Sequence, residues 1–402
     1  MKIFEYRKSE NKSVAKLFGF PIMEQTSDYM TTERHQSFFK GFVSTIKIND
    51  KYSDCSNKII KILGKTIIRR EEKNNFRTYY IWNKEFCRFS LLDEFKKRYF
   101  KYFDNQHDDI YILRANSGET YLILTYILDK LIEKNNSKKP LLVATLKYHV
   151  DMIKMICPEI PYVYIGKFRL KLKDSNFKID NLHFFLLFNH NHFLQVENQI
   201  RKGELGQIHY FYSILKSLGI STQEINMRHV KVNIDDENKM LDKVKKIGLN
   251  LKKFVFLAPE AQSCKLYDED FWSELINQLQ TIGYDVFVNL VDNEIKLKET
   301  INYKTCYLTF AEAFALAKCS KKIVSLRSGF TEFLLQTNVP IDVIYTKFRK
   351  RHFFDDLDTY HVIAGFGLMQ LPFVDKSKIH EFNMYEISPK QCLNEIVNGL
   401  NQ

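Results

Sequence analysis

Apolar runs alternate with amphipathic stretches from residue 109 to the end of this chain. The apolar runs predict strands, and stretches with apolar residues at every third or fourth position predict helices. The predicted strands are 110–114, 141–145, 162–165, 183–188, 229–234, 253–259, 284–290, 306–308, 322–326 and 341–345. The predicted helices are 119–134, 148–156, 207–218, 268–282, 310–318, 330–337 and 388–400. Regular alternation of strand and helix is typical of doubly wound parallel sheets, so this part is predicted to be α/β.

The first hundred residues have a different pattern, without strand–helix alternation. Short apolar runs flank a glycine in three places, at Gly19, Gly41 and Gly64. A glycine between apolar runs is typical of a tight hairpin, so we expect antiparallel strands here. Apolar residues spaced three or four apart from Phe86 to Phe103 then predict an amphipathic helix.

These changes of pattern divide the chain into regions. We expect a basic and aromatic accessory region with short repeats over 1–105, followed by a first Rossmann-like domain over 106–235. A second Rossmann-like domain is expected over 236–387, with the polar run 235–238 at the boundary. The C-terminal helix, within 388–402, is a candidate to cross back to the first domain.

Length and composition limit the number of domains and the class of protein. A chain of 402 residues is long enough for two or three domains, and its 45% hydrophobic and 27% charged residues are typical of a soluble globular protein. No apolar run reaches the roughly 18 residues of a membrane span, and no signal-peptide pattern opens the chain. The seven cysteines are dispersed without a C-x-x-C pair. Such cysteines are typical of reduced thiols, so a cytoplasmic protein is expected.

The formal charge of +12 calls for an anionic partner, or it reflects a lysine-rich composition of the source. Two interpretations of residues 1–105 stay open. One is an accessory subdomain packed on the core. The other is a docking element for an anionic membrane surface or a partner, because Lys96, Lys97, Arg98 and Lys101 are interleaved with aromatic residues. The second interpretation would place the protein at the inner face of the cell membrane.

Two segments more than two hundred residues apart share one design. In each, an apolar strand ends in a small polar turn with one glycine and leads into a helix; the turns are 116–120, with Gly118, and 327–329, with Gly329. Backbone N–H groups and the helix dipole at such a turn attract anions, and glycine permits a close approach. Only 14 glycines occur, so their place here is informative. The two turns predict two nucleotide-fold domains that face a shared cleft.

Taken in order, several segments resemble the bacterial heptosyltransferase family, glycosyltransferases of lipopolysaccharide synthesis with the GT-B fold. The turn 116–120 resembles the family's first small-residue turn, and 207–219 resembles its segment before the domain boundary. The loop 258–265 resembles the family's second-domain loop of Pro-Gly-Ala followed by Lys. The segment 325–330 falls where the family has Asp-Ser-Gly-Pro, with Arg327 in place of the aspartate.

The resemblance implies a fold and an activity. The expected fold class is α/β and GT-B-like, with two Rossmann-type doubly wound domains facing a cleft, plus the N-terminal accessory region. The expected enzyme transfers a sugar from a nucleoside-diphosphate donor to a hydroxyl of a surface glycan or glycolipid precursor, as in lipopolysaccharide or capsule biosynthesis. Donor and acceptor are then its partners, with no nucleic acid, no separate cofactor and no metal. The sequence has no clear Asp-x-Asp donor motif, which agrees with a metal-independent mechanism.

The resemblance also implies roles for particular residues. Glu119 stands at the family's acidic turn and would be the general base toward the acceptor hydroxyl; the alternative is a glutamate placed at a helix start by the dipole. Lys265 would neutralise the leaving phosphate, or it is an ordinary solvated lysine. The expected donor-binding residues are Glu260, Gln262, Ser325, Arg327, Ser328, Gly329 and Glu332. The expected acceptor-binding residues are Asn116, Ser117, Gly118, His190 and His192.

Three of these residues form the predicted diphosphate contact. Ser328 and Gly329 would present backbone N–H groups, and Arg327 would make a bidentate contact with the phosphates. An arginine in place of the family's aspartate leaves the identity of the donor open. The alternative is an ordinary strand-to-helix turn. Glu332, one turn further, would hold a ribose or sugar hydroxyl, or be solvated.

Two other functions are compatible with the same fold. A nucleotide-sugar epimerase would need a second acid/base set, which the sequence does not show. A non-enzymatic membrane-associated scaffold would use the basic N-terminal region. The chain contains no P-loop, no G-x-G-x-x-G and no Ser-His-Asp set. Fold alone does not choose among these functions.

Overall fold

A computed structural model gives the fold of the chain. It describes residues 4–8, 12–17, 20–28, 33–38, 43–49, 56–62, 65–73, 76–103, 106–114, 116–166, 176–187, 209–262, 264–291, 295–298, 301–347, 363 and 365–400. Within these ranges, no helix combines the length and the apolar character needed to cross a membrane.

Nineteen strands and ten α-helices are described. The strands are β1 (Phe4–Lys8), β2 (Lys12–Leu17), β3 (Phe20–Asp28), β4 (Glu33–Phe38), β5 (Val43–Asn49), β6 (Ser56–Ile62), β7 (Lys65–Lys73), β8 (Phe76–Ile81), β9 (Lys84–Ser90), β10 (Asp109–Leu113), β11 (Pro140–Ala144), β12 (Tyr162–Tyr164), β13 (Asn176–Ile179), β14 (Leu182–Leu187), β15 (Phe254–Ala258), β16 (Asp285–Val288), β17 (Lys322–Leu326), β18 (Ile341–Tyr345) and β19 (Ile379–Asn383). The α-helices are α1 (Leu91–Tyr99), α2 (Ser117–Leu122), α3 (Leu128–Lys134), α4 (Lys147–Ile156), α5 (Tyr210–Leu218), α6 (Ile234–Lys246), α7 (Glu269–Thr281), α8 (Phe310–Lys318), α9 (Gly329–Leu334) and α10 (Pro389–Asn398). A π-helical segment, Ile123–Ile127, joins α2 to α3.

Contacts divide the chain into two compact units, and the first consists of Met1–Asp104 and Phe168–Ile179. In it, β1 to β9 form an antiparallel sheet in which each strand pairs with the next along the chain. The antiparallel pairs β2–β3, β4–β5 and β6–β7 lie on either side of the three glycine positions. The predicted antiparallel strands of this region are therefore confirmed.

The helix predicted to start at Phe86 begins later, at Leu91. Phe86 and Phe89 lie in β9, and both side chains are largely exposed. Ser90 ends this strand and caps α1, because its side chain accepts a hydrogen bond from the Asp93 backbone N–H. The prediction was wrong over these residues because a strand followed directly by a helix produced the spacing of one continuous helix.

The second unit consists of Asn105–Lys167 and Asp180–Gln402, and it contains parallel sheets. We call the part with β10, β11, β12 and β14 the first half and the part with β15 to β19 the second half. The first half has its parallel strands in the order β12, β11, β10, β14, and the second half in the order β16, β15, β17, β18, β19. Strands β10, β15, β17 and β18 are buried at every position, as the inner strands of parallel sheets are. The predicted α/β class is confirmed.

Several predictions between the main strands are wrong. No strand is found at 229–234 or at 306–308, although Lys304 makes an isolated bridge with Phe287. The polar run 235–238 lies in the first turns of α6, and its place at the domain boundary stays a prediction. Asn233 caps this helix, and the helix dipole favours the acidic residues that follow it.

The C-terminal helix α10 packs within the second half. Its buried residues Cys392, Leu393 and Ile396 belong to the apolar cluster that contains Trp272 of α7. The helix therefore does not cross back to the first half, because its apolar stripe is covered by α7.

Candidate active site

The two predicted turns lie against each other between the two halves. Helix α2 follows β10, helix α9 follows β17, and their first turns are in contact. A β-carbon added to Gly329 would overlap the backbone nitrogen of Gly118 and lie 2.5 Å from the Ser117 hydroxyl oxygen. One added to Gly118 would overlap Oε2 of Glu332 and lie 3.0 Å from the Cα of Gly329. The absence of a side chain at both positions is what lets the two helix starts come this close.

Arg327 and Glu332 form a buried ion pair at this contact. Nη2 of Arg327 lies 2.5 Å from Oε1 of Glu332, and the side chains expose only 7% and 0% of their surface. The hydroxyl of Tyr210, from α5 of the first half, donates to the same oxygen at 2.7 Å. Burial raises the pKa of Glu332, while Arg327 and Tyr210 oppose that rise. Two strong donors on one oxygen favour the ionised form of Glu332 at neutral pH.

Arg327 is held entirely within the chain by the contacts described. Its Nε donates to the carbonyl of Phe366 at 3.0 Å, and its Nη1 donates to the carbonyl of Ser328 at 2.6 Å. All three guanidinium nitrogens therefore have partners in the protein. The side chain was expected to contact a diphosphate, and that contact stays a prediction. In the structure, the Arg327 side chain holds Glu332 through the buried ion pair.

Glu119 lies at the third position of α2, next to this ion pair. Its side chain is half-buried. Burial, and after it the negative charge of Glu332, raises the pKa of Glu119 to about 7. The charge of Arg327 and the backbone N–H groups of Glu119 and Asn116 oppose this rise. A carboxyl group with a pKa near 7 suits a general base, because about half of it is ionised at neutral pH and the ionised form has a useful proton affinity.

Three aromatic residues that the sequence did not single out form a cluster, and one of them, Tyr148, interacts with Glu119. Tyr148 of α4 stacks on Phe310 of α8 at 6.4 Å between ring centroids, and Phe310 meets Phe330 of α9 edge-on at 5.0 Å. All three are partly exposed. Burial, and then the charge of Glu119, raises the pKa of Tyr148, which places that ring near the carboxylate. Aromatic residues are so frequent in this chain, with 33 Phe and 22 Tyr, that no sequence signal distinguishes these three.

Tyr210 is a second residue that the sequence did not indicate. It is buried at the start of α5, directly after His209. Nδ1 of His209 accepts from the Phe211 backbone N–H and so caps the helix. The cap fixes the start of α5 and thereby the position of the Tyr210 hydroxyl. The helix itself was predicted, but the partner of its first residue lies on the other half.

Two predicted donor-binding serines take part in building the second turn. Ser328 caps α9: its side chain accepts from the Thr331 backbone N–H, and its own N–H donates to Oγ1 of Thr331 at 3.0 Å. The hydroxyl of Ser325 lies 2.8 Å from the same Oγ1. These contacts give both serines a structural role, and their contact with a donor stays a prediction.

The other predicted donor-binding residues lie after β15. The backbone N–H of Lys265 donates to the Lys347 carbonyl at 2.7 Å, and the Thr346 hydroxyl donates to the Lys265 carbonyl at 2.6 Å. These bonds fix the loop to the carboxyl end of β18 and leave the Lys265 side chain exposed. Glu260 accepts from two backbone N–H groups of the segment after β16 and so holds that segment. Gln262 is exposed.

The predicted acceptor-binding residues fall into two groups. Asn116, Ser117 and Gly118 are at the start of α2, where Asn116 is exposed, Ser117 is partly exposed and Gly118 is buried. His190 and His192 lie outside the described residues. The structure thus brings the first group, Glu119 and the second turn to one place, while Lys265 is on the neighbouring loop of the second half.

Similarity to known proteins is found at the level of solved structures. No protein-family model matches the chain, and no curated protein matches it. Among solved structures, it is similar to a glycosyltransferase of family 9 from Veillonella parvula DSM 2008, with a TM-score of 0.44, 11% identity and coverage of 73% of this chain and 98% of that one. The E. coli ADP-heptose LPS heptosyltransferase II gives a TM-score of 0.44, 12% identity and the same coverage. A S. aureus TarM structure gives a TM-score of 0.32 and 11% identity, with coverage of 100% of this chain and 74% of that one.

Proposed function

We propose that the chain is a glycosyltransferase that moves a sugar from a nucleoside diphosphate to a hydroxyl of a glycan or glycolipid precursor. The observation that carries this proposal is the position of Glu119. It is a half-buried residue at the carboxyl end of the first parallel sheet, and the pKa of its carboxyl group is raised to about 7. Open α/β sheets bind their ligands at this end. The second half contributes its own turn at the same point.

In this proposal Glu119 accepts the proton of the acceptor hydroxyl. The hydroxyl oxygen forms a bond to the anomeric carbon of the donor sugar, and the bond from that carbon to the diphosphate oxygen breaks. Asn116 and Ser117 offer hydrogen bonds to neighbouring hydroxyls. The partly exposed rings of Tyr148 and Phe310 offer an apolar surface beside the base, on which a sugar ring can pack.

Lys265 is the residue we propose for the leaving diphosphate. Its ammonium group is exposed at the carboxyl end of the second sheet, and no carboxylate in the described part of the chain pairs with it. A cation at this position stabilises the negative charge that develops on the departing phosphate. Gly118 and Gly329 are in contact, so we expect the donor to enter when the two halves move apart at these glycines.

A screen with nucleoside diphosphates tests the proposal. GDP, UDP and ADP, with CMP as a further nucleotide, should be added to the full chain while its melting temperature is recorded. A bound nucleotide stabilises the folded state by mass action, about 2.7 kcal/mol at a hundred times its Kd. We expect one diphosphate to raise the melting temperature and Lys265→Ala to reduce that rise. Lys252→Ala is the matched control, because Lys252 is exposed just before β15, at the opposite end of the strand.

The product of the reaction separates this function from its alternatives. With a panel of nucleotide sugars, a glycosyltransferase releases the nucleoside diphosphate and extends the acceptor or hydrolyses the donor slowly. An epimerase would change the sugar and leave it on the nucleotide, and a scaffold would bind no donor. Absence of both nucleotide binding and turnover across the panel would refute the proposal.

A further inference from the structure

One carboxylate oxygen at the contact between the two halves has no hydrogen-bond partner among the described residues. Oε2 of Glu332 is buried and, among the residues described, accepts no hydrogen bond, although Oε1 accepts two. The same Oε2 lies where a β-carbon of Gly118 would be. Buried polar atoms normally have partners, because an unsatisfied one destabilises the fold. An unpartnered carboxylate oxygen directed at the start of α2 therefore points to a role there.

We propose that Glu332 is a positioning residue that acts through Glu119, so that Glu119 becomes a competent base only when the two halves are in contact. This inference rests on the proposed function, in which Glu119 accepts the acceptor proton. Glu332 belongs to the second half, and Glu119 directly follows Gly118 in the first half. Contact between Gly118 and Gly329 is what brings the two carboxylates to one place.

The charges around Glu119 decide whether contact between the two halves raises or lowers its pKa. Burial and the like charge of Glu332 raise the pKa of Glu119, and the charge of Arg327 lowers it. Among the described residues, Tyr210 and Tyr148 also interact with this carboxylate, and the pKa of both is raised, so both are neutral. When the halves separate, Glu119 loses both its burial and the charge of Glu332. Its pKa then returns toward that of an ordinary glutamate, and its strength as a base falls.

The experiment follows the titration of Glu119 directly. The full chain is labelled with ¹³C at its glutamate carboxyl groups, and the Glu119 signal is assigned from the spectrum of Glu119→Gln. We expect the wild-type signal to titrate near pH 7 and the signal in Glu332→Gln to titrate at least about one pH unit lower. Glutamine keeps an oxygen that accepts from Arg327 and Tyr210, so the contact between the halves is retained.

Glu312→Gln is the matched control. Glu312 is another buried glutamate of the second half, and its Oε2 accepts from Nζ of Lys243 at 2.6 Å. Removing this carboxylate should leave the titration of Glu119 unchanged. An equal shift in Glu312→Gln and Glu332→Gln would mean that any loss of buried charge has the effect, which would overturn the proposal.

A second variant keeps the proposal testable if Glu332→Gln does not fold. Gly118→Ala adds a methyl group that overlaps Oε2 of Glu332, so it moves the carboxylate away without removing it. The titration of Glu119 should again fall to lower pH. An unchanged titration in the folded variant would overturn the proposal. The titration of Glu119 needs no substrate, so its outcome does not depend on transfer activity. Failure to find activity would refute the proposed function, while the measured effect of Glu332 on the titration of Glu119 would remain.

Discussion

Replacement of Arg327 by methionine should destabilise the second unit strongly. Arg327 is 6% exposed, and Glu332 is fully buried, so the substitution leaves a buried carboxylate without its cation. It also removes one of the donors to each of the carbonyls of Phe366 and Ser328. Removal of one partner of a buried ion pair typically reduces the free energy of unfolding by about 3–5 kcal/mol. In a unit of this size, that loss corresponds to a fall in melting temperature of roughly 6–20 °C.

The pH dependence of this loss identifies its cause. Without Arg327, burial raises the pKa of folded Glu332 further above its value in the unfolded chain, about 4.3. A raised pKa in the folded state means that stability decreases as pH rises from the unfolded pKa through the folded one. The difference between wild type and Arg327→Met should therefore be largest above pH 7 and shrink as pH approaches 4.5. Calorimetry at several pH values measures it.

A double variant separates the ion pair from general damage. Replacement of a whole buried ion pair by apolar residues of similar volume is often neutral, so Arg327→Met with Glu332→Met should recover most of the lost stability. The reasoning would be refuted if Arg327→Met changed the melting temperature by less than about 2 °C. A large loss that did not vary with pH would refute it as well.

The remaining predictions concern the two turns. Glu119→Gln should reduce turnover by about 10²–10⁴ while donor binding is retained, and near-normal turnover with the true acceptor would exclude Glu119 as the base. In the wild type, turnover should rise with pH around pH 7, as Glu119 loses its proton. Gly329→Ala should destabilise the protein by about 1–3 kcal/mol, because its methyl group overlaps the backbone of Gly118. Gly248→Ala, at φ +64° with open space around it, shows what backbone strain costs without steric overlap; an unchanged stability of Gly329→Ala would contradict the steric argument.

The sequence predicts the second half well because its signals are local. The strands 322–326 and 341–345 and the helix 310–318 have the predicted bounds. Inner strands of a parallel sheet are continuous apolar runs, and a capping box of Thr309 and Glu312 starts the helix. Both glycine turns were also predicted from their residues, since a small polar turn after an apolar strand is a local pattern.

The contacts of the site could not be predicted in the same way. Arg327 and Glu332 were expected to bind a donor, or, for Glu332, to be solvated, and both are buried. Their burial depends on the approach of Gly118 and Tyr210, which are more than a hundred residues away in sequence. Strand β19 was missed for a similar reason, because it is defined by its pairing with β18 rather than by an apolar run of its own.

The position of Glu119 is unfavourable for stability, and this gives a way to recognise its function. Its pKa is higher in the folded protein than in the unfolded chain, so the ionised carboxylate destabilises the fold above that pKa. A residue placed only to favour the start of a helix would have the opposite effect, because the dipole stabilises its charge. Glu119→Gln should therefore raise the melting temperature at pH 8 and leave it unchanged near pH 4, while turnover is lost. A gain of stability together with a loss of activity is expected where a protein retains a strained group for its function. A melting temperature that falls at pH 8 would instead identify Glu119 as a residue of the helix start.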